Sequence, residues 1–120
     1  MFVVDLTDCP EFEAGDHTLL RELLHPAKAD LLLRYSLAHA IVRRGQSSLP
    51  HRLKTSEVYF ILEGRGTMHI DNETRAVGPQ QTVYIPPGGL QYIENTGESD
   101  LTFLCIVDPA WRAEDEEVLS

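Results

Sequence analysis

The sequence predicts an all-β fold, an antiparallel sandwich or barrel, and three observations carry that prediction. Short apolar, β-branched and aromatic runs recur from residue 31 onward: LLLRYSLAHAIV, SEVYFILE, GTMHID, TVYIPP, QYIEN and DLTFLCIVD. Turn chemistry separates them, in RRGQ, EGRG, DNE, PPGG and NTGESD. No Gly-rich strand–helix–strand pattern, sustained heptad or low-complexity linker competes. Regularly spaced short strands with Gly, Pro, Asn and Asp between them are the signature of sandwiches and barrels.

Taken in order, the chain opens on MFVVDL, an apolar and β-prone run with no evident partner. Residues 17–25, HTLLRELLH, carry leucines at 19, 20, 23 and 24 and are the best helix candidate. The alternative is a short strand running into Pro26, because helix and strand are hard to separate in short apolar runs. The barrel core is expected over about residues 31–108 and a C-terminal tail over 109–120. Pro109 stops the last strand, and Trp111, the only tryptophan, is expected to anchor the tail on the body; the alternative is a lid.

The 120 residues suit a single domain able to bury a core without staples. A net charge of −9 excludes nucleic acid and anionic membrane surfaces as main partners. Part of that charge is the run Glu114, Asp115, Glu116 and Glu117, read as a solvated tail. No apolar stretch is long enough to span a bilayer and the N-terminus has no signal-peptide pattern, so the expected location is the cytoplasm. Cys9 and Cys105 are far apart and form no CxxC pair; Cys105 is expected in the core.

The chemistry lies in two segments, Gly45–Gly66 (GQSSLPHRLKTSEVYFILEGRG) and Gly78–Asn95 (GPQQTVYIPPGGLQYIEN). In the first, Gly45, His51, Glu57 and Gly64 are spaced as in the first motif of the cupin superfamily; in the second, Gly78, Pro86, Gly88, Gln91 and Asn95 follow its second motif. The chain therefore resembles a small single-domain cupin, of the conserved-barrel or mannose-6-phosphate-isomerase-like type, over roughly residues 35–107. The resemblance implies a double-stranded β-helix, a jelly-roll-like antiparallel barrel, with a short helical or extended N-terminal segment. It also implies a homodimer formed through N-terminal strands; MFVVDL, an edge liability if uncovered, adds to that expectation.

Two family histidines are replaced: Leu53 stands at the second position of the His-x-His pair and Gln91 at the second-motif histidine. What the resemblance leaves is a ligand set of His51, Glu57 and Gln91, whose mixed N/O donors suit a divalent Zn, Fe, Mn or Ni. Alternation along a strand puts 51 with 53, and 57 with Tyr59 and Ile61, on one face. Without metal, His51 would hydrogen-bond Glu57 and Gln91 would serve an organic ligand. Tyr59 and His39 are the candidate proton-transfer groups, and His39 could also supply a fourth nitrogen if its parity turns it inward. His69 is expected to face solvent or the pocket rim. The resulting expectation is a metal-dependent cupin acting on a small oxygen-rich molecule in the barrel mouth. The alternative is a non-catalytic module for a sugar or small ligand with weak or no metal.

Overall fold

A computed structural model describes residues 1–119. The strand β10 (Leu101–Asp108) organises the structure, because its alternation puts Leu101, Phe103, Cys105 and Val107 on the inner face. It pairs along its length with β3 (Ser36–Val42) on one side and β5 (Ser56–Glu63) on the other, both antiparallel. With β1 (Glu11–Glu13), β2 (Leu19–Leu24) and β8 (Thr82–Ile85) they form a six-stranded sheet in the order β1-β2-β3-β10-β5-β8. A second sheet of five strands has the order β11-β4-β9-β6-β7. Its members are β4 (His51–Leu53), β6 (Gly66–Ile70), β7 (Glu73–Val77), β9 (Gln91–Asn95) and β11 (Glu116–Val118). Between the two inner faces lies the core, built on Ala40, Val42, Ile61, Met68, Ile93 and Phe103. The fold is the jelly-roll-like, all-β architecture expected from the strand and turn order.

Residues 17–25 do not form a helix. Asp16 accepts hydrogen bonds from the Thr18 amide (3.1 Å) and hydroxyl (2.7 Å), closing a turn in which His17 takes φ 75°. The chain leaves that turn as β2, and β3 completes its backbone hydrogen bonding. All six residues of β2 are half-buried, so both faces are partly covered and the leucines do not alternate with polar residues as on a half-exposed strand. That two-sided covering made the segment read as helical.

The sheets also reach beyond residues 31–108: β1 and β2 precede that range and β11 follows it. MFVVDL makes no strand. Met1 to Val4 are exposed, Leu6–Asp8 form a 3-10 turn, and Arg21 donates to the Leu6 carbonyl at 3.0 Å. No helix among the described residues is long and apolar enough to cross a membrane.

The tail is tied to the body at several points: of its acidic run, Glu114 and Glu117 stay exposed while Asp115 is buried and Glu116 half-buried. The Trp111 amide donates to Ser36 Oγ (3.0 Å), and the imidazole of His25 donates through Nε2 to the Trp111 carbonyl (2.8 Å). Arg112 holds Asp115 with two hydrogen bonds of 3.0 Å, and β11 then pairs with β4. The two motif segments are locked together at the PPGG turn, where Gly88, at φ 80°, donates its amide to the Leu53 carbonyl (2.8 Å). Gly64 also has no substitute: at φ 87°, a Cβ there would lie 2.5 Å from the Asp100 carbonyl oxygen.

Candidate functional site in the barrel mouth

The inner face of β5 carries Glu57, Tyr59 and Ile61; β4 carries His51 and Leu53, and all five are buried. His51 and Gln91 are direct partners across β4 and β9. The structure therefore brings together the three residues expected from the motifs. His51, Glu57 and Tyr59 line a cavity of about 240 Å³, and Gln91 lies fully buried behind them.

The polar contacts form two systems. In the first, the Tyr59 hydroxyl donates to Gln91 Oε1 at 3.0 Å, and the Gln91 amide donates through Nε2 to Glu57 Oε1 at 2.9 Å. Tyr59 also packs its ring on Phe103, with centroids 4.4 Å apart, so the relay is braced by the core. In the second, His51 donates through Nδ1 to the Leu49 carbonyl at 2.8 Å and turns Nε2 toward Asp16 Oδ2 at 3.5 Å. Glu116, on β11, also borders the cavity.

Burial sets the electrostatics. Desolvation pushes the Glu57 carboxyl up to about 8; the Gln91 hydrogen bond opposes this, and the charges of Asp16 and Glu116 add to it. Burial likewise raises Glu116, against the pull of His51. Tyr59 and Cys105 are both held well above their ordinary values, chiefly by burial and then by Glu57. Near neutrality Glu57 is thus mainly a protonated acid facing a cavity, and Cys105 is a thiol rather than a nucleophilic thiolate.

Two expectations are corrected. His39 cannot join the site. Ser36 and Ala38 line the cavity and Ala40 lies in the core, so the alternation of β3 sends His39 to the outer face, in register with Arg21 and Leu104. Trp111 is neither a buried anchor nor a free lid: it is 38 % exposed, lines the cavity and is fixed by its backbone. His69 lies on the second sheet away from the cavity, stacked on Tyr92 (4.1 Å between centroids, 8° between planes), with Nε2 2.5 Å from Glu94 Oε1.

Sequence reasoning missed Asp16 and Glu116. Asp16 had one signal, an Asp two residues before a Thr, which is the pattern of a side-chain-closed turn. Glu116 had none, being one acid in an acidic run.

The set His51, Glu57 and Gln91 does not fit a resident metal in this arrangement. The Gln91 carbonyl is taken by Tyr59 and its amide hydrogens face Glu57, so the amide bridges two side chains instead of offering an oxygen to the cavity. Leu53 supplies an apolar wall. Among the described residues, no three His, Cys, Asp or Glu side chains converge as metal ligands.

The two interlocked glycine- and proline-bounded motifs, closing a jelly-roll barrel around an inward His and Glu, define a cupin. The chain belongs to that family: the Cupin domain model matches residues 38–107. It is 46 % identical over 105 residues to the uncharacterized protein MJ1618 of Methanocaldococcus jannaschii, covering 87 % of this chain and 83 % of that one. It is 32 % identical over 92 residues to an oxalate-binding protein of Thermotoga maritima, covering 76 % of this chain and 71 % of that one. Among solved structures, the polyketide cyclase RemF of Streptomyces resistomycificus superposes with a TM-score of 0.77 at 23 % identity. That match covers 96 % of this chain and 89 % of the cyclase, and at this identity it speaks for the fold alone.

Proposed function

We propose that this cupin binds a small polar organic molecule in the barrel mouth directly through its side chains, with Glu57 as the group that gives or takes a proton. The observation that carries the proposal is the relay from Tyr59 through Gln91 to Glu57. It pairs the Tyr59 hydroxyl, the Gln91 amide and one Glu57 oxygen without a metal and leaves a carboxyl poised near neutral pH on the cavity surface. His51, pinned by Leu49 and facing Asp16, forms the second polar flank. Whether the bound molecule is turned over depends on its chemistry; Glu57 is placed for general acid–base work on it. Thermal-shift screening of metal-stripped protein against small organic molecules tests this: stabilisation that disappears in Glu57→Leu supports it, and ligands that stabilise only after metal is restored refute it.

A second reading has a specific support. The oxalate-binding relative and the family pattern favour a divalent Zn, Fe, Mn or Ni at His51, Glu57 and Gln91 that would bind a small oxygen-rich acid. It requires Gln91 to abandon both of its hydrogen bonds.

We also propose a cytoplasmic homodimer. Both cysteines are free thiols, in keeping with a reducing compartment. The outer face of the six-stranded sheet exposes Phe60, Leu62, Tyr84 and Ile106, and Met1 to Val4 are exposed as well. Apolar surface of this extent is the kind that a second copy covers. Light scattering at micromolar concentration should give twice the 13.5 kDa chain mass; a monomer refutes the dimer.

A further inference from the structure

The hydrogen-bonding capacity left over in the cavity is one-sided. The Thr18 hydroxyl is spent on Asp16 (2.7 Å), the Tyr59 hydroxyl on Gln91 (3.0 Å), and the His51 Nδ1–H on Leu49 (2.8 Å). The other side-chain donors of the lining are the indole N–H of Trp111, the hydroxyl of Ser36, the weakly donating thiol of Cys105 and the proton that Glu57 carries near neutrality. Acceptors are in surplus. Glu13, Asp16, Glu22, Glu57 and Glu116 all border the cavity. Glu57, 7 % exposed, uses Oε1 for Gln91, while its second oxygen has no hydrogen-bond partner among the described residues.

The single lining cation does not redress this. Lys28 sits with Nζ 2.6 Å from Glu22 Oε1 and 6.0 Å from the centroid of the Phe12 ring. That arrangement, an ammonium between a carboxylate and an aromatic face, is one the cavity wall already makes with its own chain. No arginine lines the cavity and Lys28 is already paired with Glu22, so a dicarboxylate would face Asp16 and Glu116 with no unpaired lysine or arginine in the lining to receive it. The rest of the lining is largely apolar, including Leu20, Ala38, Phe103, Val107 and the ring of Trp111.

We propose that the ligand is a small organic cation, a primary amine whose ammonium is received by Asp16 and Glu116 together with Glu57, which releases its proton to solvent as the ammonium arrives, and whose apolar body lies against Phe103 and Trp111. This rests on the direct, side-chain binding proposed above and adds the ligand class. An ammonium brings three donors and no acceptor, the complement of what the lining leaves open. The modest cavity limits the ligand to a single ring or a short chain.

The test is calorimetry on the full chain with benzylamine, benzyl alcohol, benzoate, oxalate and MnCl2, each alone, and oxalate with MnCl2. Benzylamine should bind at least about tenfold more tightly than benzyl alcohol, and benzoate and oxalate should give no heat of binding. Glu57→Gln, which keeps volume and leaves a group that cannot ionise to meet an ammonium, should cost benzylamine about tenfold and leave benzyl alcohol unchanged. Glu116→Gln should shift the two in the same sense by less. Equal affinity for amine and alcohol, no amine binding up to millimolar, or an amine affinity unchanged in Glu57→Gln overturns the cationic ligand. Of these, alcohol binding without an amine preference leaves the direct-binding site standing. Stoichiometric Mn²⁺ uptake with oxalate bound only in its presence overturns both.

Discussion

The wall and the cover of the cavity are built on different principles. On the wall, Glu57, Tyr59 and Gln91 come from non-edge strands of the two sheets and are linked in a buried hydrogen-bonded chain. On the cover, Asp16 belongs to the turn before β2, while Trp111 and Glu116 belong to the tail, all near the sheet margins. Asp16 is held by Thr18 and faces His51, while the Trp111 backbone is held by Ser36 and His25, so the cover is fixed at separate points. The wall is rigid because packing and hydrogen bonding agree there; the cover adds charge and an aromatic surface at lower structural cost. A substitution in the wall should therefore be felt as stability, and one in the cover as ligand preference.

The largest expected effect comes from cutting the wall's network. Gln91→Leu strands the Tyr59 hydroxyl and the Glu57 carboxyl in the interior, and should cost about 2–5 kcal/mol. Urea denaturation followed by far-UV circular dichroism measures it, and a loss below about 1 kcal/mol would mean that the relay is not structural.

A comparable effect should appear as pH dependence. Because the Glu57 carboxyl is raised from 4.5 to about 8, the folded state holds a proton that the unfolded chain releases between those values. Stability from this group is thus greatest below about pH 4.5 and is lost as pH rises through about 8; Glu116, also raised, works in the same direction. The loss should reach a few kcal/mol by about pH 9. In Glu57→Gln the melting temperature should fall much less over that range, the remaining slope coming from Glu116. A parent whose stability does not fall toward alkaline pH contradicts the protonated wall.

Smaller changes are expected on the cover. Trp111→Ala removes a partly exposed ring and should cost about 1 kcal/mol, while weakening any ligand that lies against the indole. A stability loss as large as that of Gln91→Leu would erase the distinction between cover and wall.

The same division governs how much could be foreseen. The wall was legible because strand alternation and motif spacing act locally: Glu57, Tyr59 and Ile61 share a face as a matter of geometry, and the glycine turns fix where each strand begins. Gln91 was foreseen as a site residue, but its partners were not, since which way an amide turns depends on Tyr59 and Glu57 arriving from another sheet. The cover was illegible for a different reason. Asp16 and Glu116 reach the cavity only through long-range pairing of β2 with β3 and of β11 with β4. Nothing in an acidic run marks which carboxylate will be buried. His39 shows that position in the sequence is not enough: it stands six residues before Gly45, and the β3 register makes it sheet-facing rather than inward.

The central claim is that the barrel mouth works without a resident metal, and metal content tests it most directly. Protein purified without an affinity tag or chelator, then incubated with Zn, Fe, Mn, Ni or Co and desalted, should carry far less than one metal per chain by mass spectrometry. Leu53→His, which restores an imidazole beside His51 on the inner face of β4, should raise that uptake. Stoichiometric metal in the parent, lost in Glu57→Ala, would contradict the account and return His51, Glu57 and Gln91 to the role of ligands.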